Sequence, residues 1–190
     1  MNNASSILQT CSKDLLKNLQ KFQDETFEEV LSFDVDCETL IPFLPGKHGS
    51  DAIFYQLHNF NNDRPAVYWF EISSKHTAKD IRDAYPDIQS QAGVRKTPSI
   101  YKGQTFESKV LYVGKGKKNI SGRMFLHFGF EPIKVNLQGL QLCHWDFNSA
   151  LKGLKLKLNI IYLPKEMVLF TPIFERCLAD NLKPILGRHQ

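Results

Sequence analysis

KVLYVGKGKKNISGRMFLHFG, residues 109–129, is the stretch whose reading decides the architecture of this chain. VLYVG (110–114) is β-branched and aromatic, which suits a strand. KGKK then makes a glycine-rich turn, and NISGRMFLHFGF reads as a helix. Asn119 or Ser121 can cap that helix, since either side chain can accept a free first-turn N–H. Gly129 can stop it, because glycine takes up the left-handed C-cap conformation without strain.

Upstream, AVYWFEI (66–72) reads as a second strand, and AIFYQLHNF (52–60) could form another. Residues 77–91 suggest a short helix interrupted at Pro86, and 92–109 read as polar and irregular. Near the N-terminus, Leu8, Cys11, Leu15, Leu19 and Phe22 recur at helical spacing, and Phe27, Val30 and Leu31 resume it. One or two amphipathic helices over about 5–33 are expected, followed by a loop marked by Pro42, Pro45, Gly46 and Gly49. Downstream, VNLQGLQLCHW (135–145) and LKLKLNIIYL (154–163) alternate as strands do. A last helix starts with Thr171 as N-cap and Pro172 at its first position, and Pro184 ends it. Strands followed by helices predict an α+β fold, with a helical extension over 1–50 and one β-rich domain over 51–190.

The 190 residues suit roughly one domain of about 100–200 residues. No apolar run reaches the ~18 residues that span a bilayer, and the N-terminus lacks a secretory pattern. The expectation is a soluble, cytoplasmic protein with no membrane partner. Cys11, Cys37, Cys143 and Cys177 make no C-x-x-C pair and read as reduced and mostly buried. Cys143 and His144 are adjacent, and neighbours on a strand point to opposite faces, so a zinc pair is not expected. The net charge of +4 is uneven: residues 1–51 carry −5, 52–100 carry +1 and 101–190 carry +8. The basic half could serve a polyanion, or be no more than a solvated surface.

Three features could carry chemistry. Tyr112 ends a strand before a tight turn, and Arg123 and His127 lie one helical turn apart on one face. A guanidinium clamps phosphate oxygens and stabilises developing charge, while Tyr and His can move protons. On an ordinary helix the same pair would be a surface arginine and a half-buried histidine. Second, KGKK lacks the P-loop pattern, but Lys115, Lys117 and Lys118 could contact backbone phosphates or simply be solvated. Third, Glu175 falls outside the capping-box position, which is Phe174. It could complement the helix dipole, or hold one Mg²⁺ whose other ligands are water and phosphate.

Taken in order, these motifs resemble the GIY-YIG nucleases over about 66–189. YVG (112–114) looks like the second strand motif and AVY (66–68) like the first, with Ala66 in place of glycine. Arg123, His127 and Glu175 match the family's arginine, a position often held by histidine, and the metal-binding glutamate. KPILG resembles the family's closing segment, with Gly187 where many members have asparagine. The resemblance implies a small mixed or antiparallel sheet flanked by helices and a DNA endonuclease, with restriction-type use mildly preferred. It implies Mg²⁺ (or Mn²⁺) on Glu175 and an arginine clamp at Arg123. Tyr68, assisted by Tyr112, would deprotonate or orient the attacking water, and His127 would assist a proton transfer or bind a flanking phosphate. A DNA-binding module of the same fold without turnover is the alternative. Tyr68 and Tyr112 lie far apart for a short hairpin, and Tyr101 competes for the first-motif role. The stronger strand character of AVYWFEI favours Tyr68 and makes 74–108 an insertion.

Overall fold

The computed structural model describes residues 30–40, 56–91, 96–102, 107–130, 138–146 and 148–187, with helical positions between 10 and 23. The fold is α+β. Strands β1 (Leu31–Asp36), β2 (Ala66–Ile72), β3 (Val110–Gly116) and β4 (Lys155–Tyr162) form one antiparallel sheet in the order β1-β4-β2-β3. Helices α1 (Ala78–Ser90), α2 (Ile120–Phe128) and α3 (Thr171–Leu182) complete the frame. Among the described residues, no helix is long and apolar enough to cross a membrane.

Strand β2 is central, with Tyr68 opposite Gly114 on β3 and Ile160 on β4. Strand alternation sends Ala66, Tyr68, Phe70 and Ile72 to one face. There they join Leu156, Leu158 and Ile160 and the buried sides of α1 and α2 in the main core. Val67 and Trp69 turn the other way, where Val113, Ile161, Phe174, Leu178 and Ala179 also pack. A strand covered on both faces reads as a continuous apolar run, which is why AVYWFEI is so hydrophobic.

Helix α2 is anchored at its start. Asn119 is the N-cap, at φ 53°, and its side chain accepts from the Gly122 N–H at 3.0 Å. The Asn62 side chain takes the Ser121 N–H at 2.9 Å, and the Asn62 carbonyl takes the Asn119 N–H at 2.8 Å. Gly129 closes the helix at φ 88°.

Several sequence expectations change. Leu31–Asp36 is a strand paired with β4, so the 1–50 segment is no separate helical extension. Pairing with an exposed ladder prevails there over the helical spacing of Val30 and Leu31. Residues 56–58 are helical rather than extended; 52–55 lie outside the described residues. Helix α1 runs uninterrupted through Pro86. Residues 138–145 are irregular and close in a short 3-10 turn over Leu142–His144, because Gln141 is left-handed at φ 60°; 135–137 lie outside the described residues. Thr171 is the first residue of α3 and not its cap, since its hydroxyl donates to the Val168 carbonyl at 2.9 Å. Of the cysteines, Cys37 and Cys143 are buried while Cys11 and Cys177 are exposed, and all four are free.

The 74–108 segment is part of the core rather than an appendage. Ala78, Ile81, Ala84, Tyr85 and Ile88 of α1 are buried in it, and the Tyr85 hydroxyl donates to the Pro98 carbonyl. The tail then docks between this segment and β3. The Ile185 and Leu186 N–H groups donate to Val110 and Leu111, both at 2.9 Å. Tyr101 N–H donates to Ile185 and Gly187 N–H to Ser99, both at 2.8 Å. The otherwise open edge of β3 is thereby paired.

Ile81 is fully buried. Ile81→Ala should lower the unfolding free energy by about 2–5 kcal/mol. Urea denaturation should show the loss within one cooperative transition. A separate early transition would detach α1 from the core.

Candidate active site

Helical spacing places Arg123 and His127 on one face of α2, and that face meets the Tyr68 hydroxyl. Tyr68 is fully buried. Its oxygen lies 2.8 Å from His127 Nε2 and accepts from Arg123 Nε–H at 3.2 Å. The Leu140 N–H donates to His127 Nδ1 at 3.2 Å. With Nδ1 accepting, the neutral ring carries its proton on Nε2 and donates to Tyr68. Both lone pairs of the Tyr68 oxygen are then occupied, and its own O–H remains to be donated. Burial, reinforced by Arg123, pushes the His127 pKa well below the usual histidine value, so the ring stays neutral.

Tyr112 reaches the same cluster from β3. Its ring centroid lies 5.0 Å from that of His127 and 6.4 Å from that of Tyr68, close enough for the charge of Arg123 to act on its hydroxyl. Burial raises the pKa of both tyrosines, while Arg123 opposes the rise. For Arg123, burial works against the charge, but the two tyrosine oxygens prevail and raise its pKa. Arg123 Nη1 also donates to the Gln138 carbonyl at 3.3 Å. Arg123 is half-buried, held by the Tyr68 hydroxyl and the Gln138 carbonyl.

Gly114 makes the cluster possible. A Cβ there would lie 2.5 Å from the Tyr68 hydroxyl and 2.7 Å from the Tyr112 ring. The glycine of YVG is therefore the gap through which the Tyr68 side chain passes.

Glu175 comes from α3, on the opposite face of the sheet, yet its charge raises the pKa of both tyrosines. Its carboxylate is paired with Lys115 of β3. Tyr68, Tyr112, Arg123 and His127 thus converge on one face of the sheet, while Glu175 pairs with Lys115 on the other. Lys117 and Lys118 stand apart from the cluster, exposed in the turn after β3. Tyr101 is elsewhere: its hydroxyl donates to Asp180 at 3.4 Å. His127 is fully buried with both ring nitrogens engaged, so it does not present itself to a flanking phosphate. Three participants had no sequence signal: the main-chain groups of Gln138 and Leu140, and the Asn62 anchor of α2.

A single partly exposed carboxylate fits Mg²⁺, which keeps most of its water and needs few protein ligands. That Glu175 already holds an ammonium shows that the position accepts a cation. Among the described residues, no three His, Cys, Asp or Glu side chains gather to hold a metal. No family model, curated protein or solved structure matches the chain.

Tyr68→Phe should leave the Arg123 and His127 donors without their acceptor, at a cost of about 1–3 kcal/mol in stability. Tyr101→Phe should be nearly neutral, and thermal unfolding of the two variants compares them directly. His127 also sets a pH dependence. Its folded pKa lies below the unfolded value, so the unfolded chain binds the proton first. The contribution is complete above about pH 6.5 and declines as pH falls below it. His127→Gln should flatten the stability profile in that acidic window, as read by urea denaturation at a series of pH values.

Proposed function

We propose that this chain is a metal-dependent endonuclease related to the GIY-YIG nucleases, hydrolysing DNA phosphodiester bonds in the cytoplasm. The observation that supports the reading is Arg123 bonded to the buried Tyr68 hydroxyl beside Tyr112, with the charge of Glu175 on a separate helix felt by both tyrosines. This set suits an anionic ester: a fixed cation for the phosphate, hydroxyls to orient water, and an acidic group for a divalent ion.

Arg123 binds a non-bridging phosphate oxygen and stabilises the charge that develops there. Because Tyr68 already holds Arg123, little reorganisation of the guanidinium accompanies phosphate binding. Tyr68 and Tyr112 orient the attacking water through their hydroxyls. Burial keeps both protonated, so orientation, rather than removal of the water's proton, is the role this geometry supports. His127 is a positioning residue: neutral and locked by Leu140, it aims the Tyr68 hydroxyl. Glu175 would hold one Mg²⁺, or Mn²⁺ in its place, and that ion when bound would supply Lewis-acid polarisation of the phosphate. Lys117 and Lys118, exposed in the turn after β3 and within the basic half of the chain, would contact backbone phosphates. The basic turn and the absence of any base-reading motif favour backbone contact first, with restriction-type specificity resting on groups outside this cluster.

A plasmid-nicking assay with Mg²⁺, with and without EDTA, tests the reading. Wild type should nick and linearise only with the metal. Glu175→Gln should lose at least about a hundredfold in rate, as expected when a group stabilising transition-state charge is lost, while gel-shift binding persists. Binding with no metal-dependent cleavage by wild type would instead identify a DNA-binding module.

A further inference from the structure

We infer that Lys115 is a built-in counterion that occupies Glu175 until a divalent cation displaces it, so that metal loading is an exchange of cations. The inference rests on the reading of Glu175 as the metal ligand. Lys115 stands on β3 opposite Val67, and its backbone is fixed by the ladder to β2. Its ammonium reaches across to Oε2 of Glu175 on α3, tying strand to helix.

The pair is no ordinary surface contact. Glu175's side chain is 14% exposed and that of Lys115 35%, whereas Lys79 and Asp83 of α1 pair at 72% and 60%. Partial burial reduces screening, so the Lys115–Glu175 attraction is stronger than that of the helix-surface pair. An ammonium and a divalent cation held by one carboxylate repel each other at close range, so each weakens the other's hold. The lysine is the partner with the means to leave. Its four-carbon stem is long, its three donors have no fixed geometry, and water accepts its charge readily. An arginine would grip the carboxylate with two prongs and leave less easily. The displaced ammonium swings toward solvent beside Lys117 and Lys118, where it joins the basic turn and is available to a phosphate. With Lys115 on it, Glu175 is neutralised near two buried tyrosines, which stabilises the metal-free protein. The exchange therefore lowers metal affinity, and the protein is loaded only where the free ion is plentiful.

The test is Mn²⁺ binding to the full chain at constant pH, read from the electron paramagnetic resonance signal of the free ion. Wild type, Lys115→Met, Lys115→Gln and Glu175→Gln are compared. The glutamine variant guards against misfolding, since it keeps a donor to Glu175 without the charge; circular dichroism melts verify that each variant is folded. Removing the ammonium should tighten Mn²⁺ binding at least about tenfold, a small part of the attraction between unit charges at contact near a protein surface. Glu175→Gln should abolish this site. If both Lys115 variants bind Mn²⁺ no more tightly than wild type while Glu175→Gln loses it, the exchange is overturned and the metal ligand stands. If Glu175→Gln binds as wild type does, the metal reading itself fails and takes the exchange with it.

Discussion

One buried oxygen, the Tyr68 hydroxyl, sets the terms for the rest of the site. It is fully buried and accepts from both Arg123 and His127. A polar group at that depth is tolerable only when its partners are supplied. The fold therefore has to bring α2 onto this face of β2 in one orientation. Asn62 and Asn119 fix where α2 begins, Gly129 where it ends, and Leu140 locks the imidazole that completes the network. Gly114 provides the opening. A guanidinium held by such a network is rigid, and a rigid guanidinium binds an anion with little ordering cost.

The same face of the sheet explains why 74–108 cannot be a loose insertion. Tyr68 is dry only because Phe70, Phe128 and the apolar side of α1 extend the core around it. Near the end of the chain, Ile185 and Leu186 pair with the edge of β3 beside Tyr112. That pairing holds β3, and with it Tyr112, Gly114 and Lys115, against sliding. Segments far apart in sequence thus stabilise one short strand that carries three residues of the cluster.

Charge is arranged around this frame in two layers. Arg123 is held deep and permanently by the tyrosines, which favour its charged form. Lys115 is held at the margin by Glu175, in a contact that solvent can compete for. Further out, Lys117 and Lys118 meet water directly. The three lysines and the arginine thus form a gradient from a tightly held to a solvent-exposed cation.

Periodicity and local propensity alone determined much of this protein. AVYWFEI, VLYVG and LKLKLNIIYL are strands, and Ala78–Ser90, Ile120–Phe128 and Thr171–Leu182 are helices, because each carries a repeat or stop signal that local physics enforces. The pairing of Arg123 with His127 was legible for the same reason: residues four apart on a helix share a face. Tertiary structure alone decided what depends on distant neighbours. LSFDVD is a strand because β4 offers its alternating Leu31, Phe33 and Val35 a ladder, where the helical spacing that reaches Leu31 runs out. VNLQGLQLCHW alternates, yet 138–145 turns at left-handed Gln141 to bring Leu140 and Gln138 to the site. Tyr68 rather than Tyr101 met Arg123 because β2 runs through the middle of the sheet, while the Tyr101 segment pairs with the tail. Lys115 was read as a phosphate contact, and only the docking of α3 made it the partner of Glu175. Backbone hydrogen bonds and long-range ion pairs leave no mark in a local window, since any residue has the N–H and any helix the carboxylate; the fold chooses which of them meet.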